Sequence, residues 1–497
     1  MEKYDVIIIG AGFGGLACGI TLSREGFKVL VLEKERSLGG CFPSFRRGRY
    51  ILDTGIHYVG SLSEGQIMHQ YFKYYGIADK LKLLKLDEDG FDVIRFGDGR
   101  EFRHAMGYER FIDTLAADFP DEVDGIRSYC DTIRHVGNMI SPEVLRSGRI
   151  SSGGMEYMGR PIYDEICRCT GNGLLRNILA GSNTLYGGEK EKSSIYEHAM
   201  VNHSNIEGAY RFVGGTQHVA DAMVDVIRAN GGEVRNLSAV TKIHLEGPKA
   251  EYVEVNGEER IACDWLISAI HPSLTLSLLE NNSVIKKAFF TRVNSLENSY
   301  GIFTTYLLFK PATVPYINRN YYLYRREDTW DMHMDYRGYN VPAVLMSMQP
   351  GKDIRYCDVA TLMTPMFKED YARWENTLSG HRGPEYLEFK QAMEERMIEF
   401  VSSHFPEFRG NIEKVCSSSP LSYRDYTGTP DGSAYGIVKD WHNPMVNHLP
   451  PRTKIGNLLI TGQNLNLHGA IGVAVSASVT CSEILGTEYL TKKIGNA

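Results

Sequence analysis

The N-terminal stretch "YDVIIIGAGFGGL" constrains the fold of this chain more than any other feature. A continuous apolar, β-branched run ends at Gly10 and predicts a buried parallel strand. The next segment, "GGLACGITLSREG", has a helical pattern, and "KVLVLEK" predicts a second buried strand. The sequence therefore predicts a βαβ unit within about 30 residues.

Three glycines of this unit have the spacing of a dinucleotide-binding turn. Gly10 permits a tight turn, Gly12 lets backbone approach a pyrophosphate at the helix N-terminus, and Gly15 allows close helix–strand packing. Glu33 ends the second predicted strand, where its carboxylate can accept hydrogen bonds from ribose hydroxyls and repel a 2′-phosphate. The turn, the helix and the acid together predict a bound dinucleotide.

Two later glycine-rich segments indicate FAD rather than NAD. Gly39 and Gly40 follow Glu33 closely and give further backbone amides access to phosphates or to a flavin. Near the C-terminus, Gly462 ends another predicted strand, and a helix is expected to begin near Gly472. The N-terminus of that helix would stabilise negative charge on a flavin pyrimidine or on a phosphate.

The rest of the chain contains segments with a helical pattern and segments with a strand-like pattern. Residues 216–268 predict a helix followed by strands, residues 63–204 are mostly helical in pattern, residues 300–365 are strand-like and aromatic, and 383–406 is a long amphipathic helix. We therefore expect an α/β fold, with a discontinuous, three-layer Rossmann-like FAD-binding domain and an inserted substrate domain of mixed sheet and helices. The expected boundaries are 1–70, 205–275 and 445–497 for the FAD-binding domain, and 71–204 and 276–444 for the substrate domain.

Composition limits the partners and the compartment. The formal charge of −7 over 497 residues argues against a nucleic-acid partner. Nine scattered cysteines without a C-x-x-C pair argue against a disulfide framework and a metal site. Because neither a signal peptide nor a spanning segment is evident, we expect a cytoplasmic protein. Residues 280–325 predict either an apolar entrance for peripheral membrane contact or an ordinary part of the substrate domain.

Six segments carry a resemblance to a known family. Together they resemble the phytoene desaturase superfamily of FAD-dependent oxidoreductases, and they are "DVIIIGAGFGGL", "LEK…LGG", "LDTGIHYVG", "RFVGGTQHVADAM", "PLSYRDYTGTPDGSAYGI" and "NLLITGQNLNLHGAIG". The resemblance is closest to the retinol saturase (all-trans-retinol 13,14-reductase) and carotenoid isomerase branch, and it spans effectively the whole chain. It implies a long apolar tunnel in the substrate domain.

The resemblance also implies which residues contact FAD. Many members have an acid after the terminal strand glycine, where this chain has Gln463 and Asn464, which can hydrogen-bond but not ionise. The expected contacts are Gly10, Gly12, Phe13, Gly14, Gly15, Glu33, Lys34, Gly39, Gly40, His57, Val240, Gly462, Gln463, Gly469, Ile471 and Gly472.

The family resemblance implies a reaction at C=C or C–C bonds of a long apolar polyene or isoprenoid lipid. FAD supplies the redox chemistry, and the protein selects the substrate. Aromatic residues suited to an apolar ligand are Tyr58, Phe303, Tyr306, Tyr321, Tyr322 and Tyr435. No second G-x-G-x-x-G follows a strand, so we expect an unidentified external electron donor or acceptor, or a nicotinamide that visits the substrate side.

Saturation and desaturation are both open at this point, and so are three alternatives. These are a non-redox FAD-dependent polyene cis/trans isomerase, a prenyl-lipid-binding escort without chemistry, and an amine oxidase. The segment "DTGIHYVG" is expected to form the wall between flavin and substrate. His57 and Tyr58 from this segment, with His468, are the candidate proton donors.

Overall fold

The computed structural model describes residues 1–148, 154–280, 285–332 and 341–497. In these residues the strands are, in chain order, β1 Glu2–Ile9, β2 Val29–Leu32, β3 Ser44–Arg47, β4 Tyr50–Asp53, β5 Val59–Gly60, β6 Leu83–Lys85, β7 Asp92–Phe96, β8 Glu101–His104, β9 Ala209–Phe212, β10 Glu233–Arg235, β11 Val240–Glu246, β12 Lys249–Val255, β13 Glu259–Ser268, β14 Gly301–Phe309, β15 Asn320–Tyr324, β16 Ala343–Pro350, β17 Cys357–Met366, β18 Ile412–Ser418 and β19 Leu458–Ile460.

The helices of the same residues are α1 Phe13–Ser23, α2 Ile67–Tyr75, α3 Tyr108–Asp118, α4 Val123–Gly137, α5 Pro142–Ser147, α6 Gly154–Met158, α7 Ile162–Cys169, α8 Gly173–Leu179, α9 Ile195–Glu207, α10 Gln217–Ala229, α11 Pro272–Ser277, α12 Lys287–Asn294, α13 Lys368–Tyr371, α14 Pro384–His404, α15 Glu407–Asn411, α16 Pro420–Thr427, α17 Pro444–Asn447, α18 Gly469–Leu485 and α19 Thr487–Gly495.

The first large sheet contains the predicted βαβ unit. Its order is β10-β2-β1-β13-β12-β11, with β19 pairing to β13, and β10, β2, β1, β13 and β19 are mutually parallel. Val6, Ile7 and Ile8 of β1 are fully buried, because a parallel sheet is covered on both faces. Helix α1 is buried over its whole length and packs against α10 and α18. The Rossmann-like prediction is thus confirmed.

The second large sheet is mixed, with the order β18-β14-β17-β16-β15-β7-β8. β7 runs parallel to β15 and antiparallel to β8, which makes Asp92 the partner of Asn320 on one side and of His104 on the other. The sequence analysis missed β7 and β8, which lie inside the segment expected to be mostly helical. The missed signal is "FDVIRFGDGREFRH", two strand-like runs joined by a glycine-flanked turn.

Two helices test the predicted boundaries. α14 agrees with the amphipathic helix expected at 383–406 and buries Phe389, Met393 and Met397 at helical spacing. α18 begins at Gly469, so the start expected near Gly472 was wrong by three residues. Gly469 has a φ of +73°, which turns the chain into the helix, and Gly472 lies in the first turn. A Cβ on Gly472 would lie 2.5 Å from the carbonyl oxygen of Leu467, so that glycine serves packing.

Asn457 joins three strands of the first sheet and generates a stability prediction. Its Nδ2 donates to the carbonyls of Ala250 and Asp264, each at 2.9 Å, and its Oδ1 accepts from the Ala250 N–H at 2.8 Å. Asn457→Ala should lower the free energy of unfolding by about 3 kcal/mol, because buried backbone groups lose their partners. Urea denaturation at fixed FAD concentration measures this change.

The control for this measurement is Asn496→Ala. Asn496 is exposed and donates only to the Lys492 carbonyl at 2.7 Å, so its replacement should change stability by less than about 0.5 kcal/mol. Equal effects of the two substitutions would contradict the structural role of Asn457.

Candidate functional site

The predicted glycine motifs meet in one backbone cradle. Gly39 forms a parallel bridge with Gly12, and its N–H donates to the carbonyl of Ala11 at 2.9 Å. A Cβ on Gly40 would lie 2.9 Å from the Cα of Gly12, so these two turns approach more closely than side chains permit. The cradle therefore exposes backbone amides at the start of α1, where a phosphate is best bound.

The helix–strand contact beneath the cradle is equally tight. A Cβ on Gly15 would lie 2.0 Å from the carbonyl oxygen of Gly10. Gly14 lies against the C-terminal segment, since its Cβ would lie 3.2 Å from the Cα of Gly462. The ring of Phe13 packs against Phe42 with centroids 5.5 Å apart.

Glu33 is buried at the end of β2, where the ribose acid was expected. Its Oε2 accepts from the Ala11 N–H at 2.8 Å and its Oε1 accepts from the Glu35 N–H at 2.9 Å. Since each carboxylate oxygen has two acceptor directions, both can still accept from a ribose. The neighbouring Lys34 instead donates through Nζ to the Asp425 carbonyl at 2.8 Å, so its side chain points to α16.

Val240 lies at the start of β11, in the segment that runs beside the end of β2. The N–H of Ser238 donates to the Glu33 carbonyl at 2.7 Å, and the N–H of Leu237 donates to the Glu35 carbonyl at 3.2 Å. Val240 follows Ser238 by two residues, so this backbone contact brings the start of β11 close to the expected ribose acid.

The loop between β19 and α18 is held by two polar contacts. Asn464 Oδ1 accepts from the Ile437 N–H at 3.0 Å. The buried Nζ of Lys439 donates to the carbonyls of Asn464 and Leu465 at 3.1 and 3.3 Å. Gln463 lies between Gly462 and these anchors, and the loop delivers the chain to Gly469 and Ile471 in the first turn of α18.

His468 precedes α18 and is buried. Its ring centroid lies 4.9 Å from that of Tyr435, and its Nδ1 lies 3.7 Å from Oε1 of Glu197. Burial lowers the pKa of His468 to about 3, with a contribution from Lys439. Burial also raises the pKa of Glu197 to about 8. The contact is therefore between neutral groups at pH 7, and the Nε2 of His468 has no hydrogen-bond partner.

The octapeptide 53–60 connects the cradle to the second sheet. Asp53 Oδ1 accepts from Ser44 Oγ at 2.7 Å and from the Thr216 N–H at 2.9 Å, and these hydrogen bonds fix the start of the octapeptide. A Cβ on Gly55 would lie 3.0 Å from the Cβ of Cys41, the residue after the Gly39–Gly40 pair. The segment thus begins against the cofactor cradle.

His57 is half-buried, but its Nε2 is buried and has no hydrogen-bond partner. Its carbonyl accepts from Nη1 of Arg211 at 3.2 Å. Burial, assisted by the charge of Arg211, lowers the pKa of His57 to about 3. The ring is therefore neutral at pH 7, and it lacks the second ring proton that a general acid would donate.

Tyr58 reaches residues that the sequence analysis missed. Its Oη donates to Oδ2 of Asp92 at 2.9 Å and lies 2.6 Å from Oη of Tyr322. Asn320 Nδ2 donates to Oδ1 of Asp92 at 2.9 Å, and Nη2 of Arg211 donates to Oδ1 of Asn320 at 2.9 Å. Asp92 could have been noticed in the sequence, because an aspartate inside the apolar run "FDVIRF" predicts a buried carboxyl group.

The expected aromatic lining separates onto two faces of the second sheet. Tyr322 lies on the face of the sheet that Tyr58 contacts. Burial raises the pKa of Tyr58, and Tyr435 adds to this rise. Tyr321 points to the opposite face, as alternation along a strand requires, and packs on Phe405 with centroids 5.0 Å apart. Phe303 likewise packs against α14, and Tyr306 donates to the Asp53 carbonyl at 3.0 Å. The six aromatic residues therefore do not form one lining.

Two further expectations concern metals and membranes. Among the described residues there is no group of three or more acidic, histidine or cysteine side chains placed to hold a metal ion. The helices of those residues include none with the length and apolarity to cross a bilayer. Phe289 and Phe290 of α12 pack partly buried against the first sheet, and residues 281–284 of the segment 280–325 lie outside the described residues.

Known proteins resemble this chain over most of its length. Residues 13–358 match the family model described as flavin containing amine oxidoreductase. The human all-trans-retinol 13,14-reductase is 26% identical over 541 residues, which cover 97% of this chain and 86% of that protein. A 4,4'-diapophytoene desaturase (4,4'-diapolycopene-forming) of Methylomonas sp is 22% identical over 321 residues, or 61% of this chain and 60% of that protein.

A solved structure agrees with the fold. The crystal structure of an oxidoreductase from Methanosarcina mazei superposes with a TM-score of 0.62 over 96% of this chain and 99% of that chain, at 16% identity. At this identity the likeness shows the fold alone. Because the family model spans more than half of the sequence, the chain belongs to the family of flavin-containing amine oxidoreductases, its relatives include members of the phytoene desaturase superfamily, and it is an FAD-dependent oxidoreductase.

Proposed function

We propose that this enzyme adds or removes hydrogen across C=C or C–C bonds of a long apolar polyene or isoprenoid lipid. The observation that carries the proposal is the course of the octapeptide 53–60. Gly55 lies against the cradle at Cys41, whereas Tyr58 reaches the buried phenol of Tyr322 on the second sheet. A substrate beside Tyr58 would thus meet the cofactor across one short segment of chain.

The residues present fit FAD. The closely approaching turns at Gly12 and Gly40 leave backbone amides for the pyrophosphate, and Glu33 retains acceptor capacity for the ribose. His57 and His468 each hold a buried Nε2 without a partner, and a flavin edge would satisfy them. When bound, FAD supplies exchange of a hydride or an electron pair.

The distribution of strands supports the proposed domain division. The first sheet takes its strands from residues 2–32, 233–268 and 458–460, and the second takes its strands from 92–104, 301–366 and 412–418. These sets fall within the proposed FAD-binding segments 1–70, 205–275 and 445–497, and within the proposed substrate segments 71–204 and 276–444. The cofactor and substrate would then meet where the sheets face each other.

The electrostatics of this region suit an apolar substrate. Histidines 57 and 468 are neutral because burial disfavours their cations. Glu197 holds its proton for the same reason. The cation nearest to His57, Arg211, is already bonded to the His57 carbonyl and to Asn320. The neutral groups of the site can therefore accommodate a hydrocarbon chain at low desolvation cost.

Electrons must come from, or go to, a partner outside the chain, since the sequence has no second dinucleotide motif. The remaining interpretations are a cis/trans isomerase, an amine oxidase as the family description suggests, and a lipid escort. These interpretations differ in product, so one experiment separates them.

The first prediction concerns the product. Anaerobically reduced, FAD-loaded protein incubated with all-trans-retinol and with phytoene-type polyenes should yield a product that is two hydrogens heavier by mass spectrometry. Oxidised protein given a more saturated substrate and an artificial electron acceptor tests the reverse direction. An unchanged mass with altered retention would indicate isomerisation, and peroxide formed from amines in air would indicate an amine oxidase.

The second prediction concerns the cradle. Gly15→Ala places a Cβ against the Gly10 carbonyl, and such overpacking costs about 1–3 kcal/mol, which should weaken FAD binding by about 5- to 150-fold. The flavin-to-protein ratio, measured from absorbance, reports the loss. Gly173→Ala is the matched control, because nothing lies within 4 Å of its added Cβ, and it should keep its FAD.

The third prediction concerns His57. Because its ring is neutral, we assign it to cofactor contact rather than to proton donation. His57→Ala protein should bind FAD at the wild-type ratio and lose less than about tenfold in turnover, whereas loss of a general acid costs about 10²–10⁴-fold. A loss in the larger range, with an altered pH profile, would instead identify His57 as the acid.

A further inference from the structure

Asp92 is an unusual group for the edge of an apolar site. It opens β7 and is only 1% exposed. Its two oxygens are occupied by Asn320 Nδ2 and by Tyr58 Oη, each at 2.9 Å. A buried carboxylate requires either a cation or several donors to remain ionised, because desolvation penalises its charge.

The nearby cation does not pair with this carboxyl. The Nη2 of Arg211 donates to Oδ1 of Asn320, and its Nη1 donates to the His57 carbonyl and to Oγ of Ser347. Among the described residues, Asp92 has no ion pair. Arg211 therefore acts on Asp92 through Asn320, at a distance of one intervening side chain.

The other groups facing Asp92 are neutral. His104 is its cross-strand partner, but the Nε2 of His104 bonds to the Ile178 carbonyl at 3.1 Å and burial lowers the pKa of that ring to about 4. Burial raises the pKa of both Tyr58 and Tyr322 well above the usual value. Burial also raises the pKa of Asp92 to about 7, against smaller opposing effects of Asn320, Tyr58 and Arg211.

The two phenols form a short path away from the carboxyl. Tyr58 Oη lies 2.9 Å from Asp92 Oδ2 and 2.6 Å from Tyr322 Oη. A hydroxyl in this position can accept a proton from the carboxyl while it donates its own, and it never carries a full charge. Tyr58 also belongs to the octapeptide that separates the cradle from the second sheet.

We propose that Asp92 is the proton reservoir of the reaction and that Tyr58 transfers its proton to and from the substrate. This inference rests on the proposed function. Tyr58 would be the catalytic residue, in contact with the reacting carbon, and Asp92 would act through it. Asn320 and Arg211 would hold the carboxyl in place.

The step balances for saturation of one double bond. One carbon of the double bond would gain a C–H bond, formed by the electron pair of a hydride equivalent from the reduced cofactor. The π pair of the broken double bond forms the second C–H bond with the proton of Tyr58 Oη. Tyr58 takes the Asp92 proton, and the carboxylate left behind is reprotonated from solvent before the next turnover. Desaturation runs the same transfers in reverse, with the Asp92 carboxylate as the acceptor.

The sign of the pH dependence follows from the raised pKa. Asp92 holds its proton below about pH 7 and loses it as the pH rises through that value. The saturation rate in a single turnover should therefore be constant in acid and fall about tenfold per pH unit above about 7. The desaturation rate should show the opposite dependence.

The first test needs no substrate. Infrared spectra of the FAD-loaded protein should show a protonated-carboxyl band that disappears as the pH rises through about 7 and is missing from Asp92→Asn, beside the band of Glu197, whose pKa is raised to about 8. The control is Asp87→Asn, because Asp87 pairs with Arg319 at 2.6 Å and its pKa is lowered, so both bands should remain. A difference spectrum between wild type and Asp92→Asn that lacks this pH-dependent band would overturn the proposal.

The second test uses single turnovers of the reduced holoenzyme with the polyene that it converts. Tyr58→Phe and Asp92→Asn should both slow product formation by about 10²–10⁴-fold with unchanged FAD content, and Asp92→Asn should lose the pH dependence. Ser347→Ala is the matched control, since it removes another contact of Arg211 but no titratable group, and it should keep the wild-type pH profile.

The outcomes separate the two proposals. If Asp92→Asn keeps the wild-type pH profile, or if Ser347→Ala reproduces its effect, the network is only structural and the reservoir is overturned while the proposed function stands. If wild-type protein converts no polyene in either direction, the proposed function fails, and the catalytic role of Asp92 fails with it. Both proposals are supported if Asp92→Asn and Tyr58→Phe each slow turnover and if Asp92→Asn also loses the pH dependence.

Discussion

The close approach of two backbone turns, at Gly12 and at Gly40, is the constraint on which the rest of the structure depends. No side chain fits between them, since a Cβ on Gly40 would lie 2.9 Å from the Gly12 Cα. This contact fixes the start of α1 against the chain that leaves β2. The octapeptide 53–60 returns to the same place, where Gly55 meets Cys41. The cradle and the proposed wall of the substrate site therefore lie side by side.

Burial disfavours the charged forms of the histidine and carboxyl groups around the octapeptide and His468, and the guanidinium of Arg211 lies among them, bonded to Asn320. Burial removes the charge from His57 and His468, and it raises the pKa values of Asp92 and Glu197 to about 7 and 8. In a region of low dielectric, carboxyl groups with these raised pKa values can exchange protons near neutral pH without an ion pair. This setting suits a hydrocarbon substrate, whose reaction requires a proton but offers no polar group to deliver it.

Sequence reasoning predicted the elements with strong local signals. The βαβ unit, the parallel strands and α14 were predicted because apolar periodicity and glycine spacing act within short windows. The start of α18 was misplaced, since Gly469 rather than Gly472 makes the turn. The strands β7 and β8 were missed because they are short and lie among helices. Tyr321 and Tyr322 were grouped together, although neighbouring residues of a strand face opposite sides.

The sequence by itself determined the cofactor cradle. Its glycines and Glu33 lie within the first 40 residues, and their function depends on backbone geometry that local sequence dictates. Only the tertiary structure brings together the proposed proton-handling group, because Tyr58, Asp92 and Tyr322 come from separate parts of the chain. Their contact depends on the parallel register of β7 and β15, which places Asp92 beside Asn320. Strand pairing over such separations leaves no periodic signal in either segment, and burial, which sets the pKa of Asp92, exists only after folding.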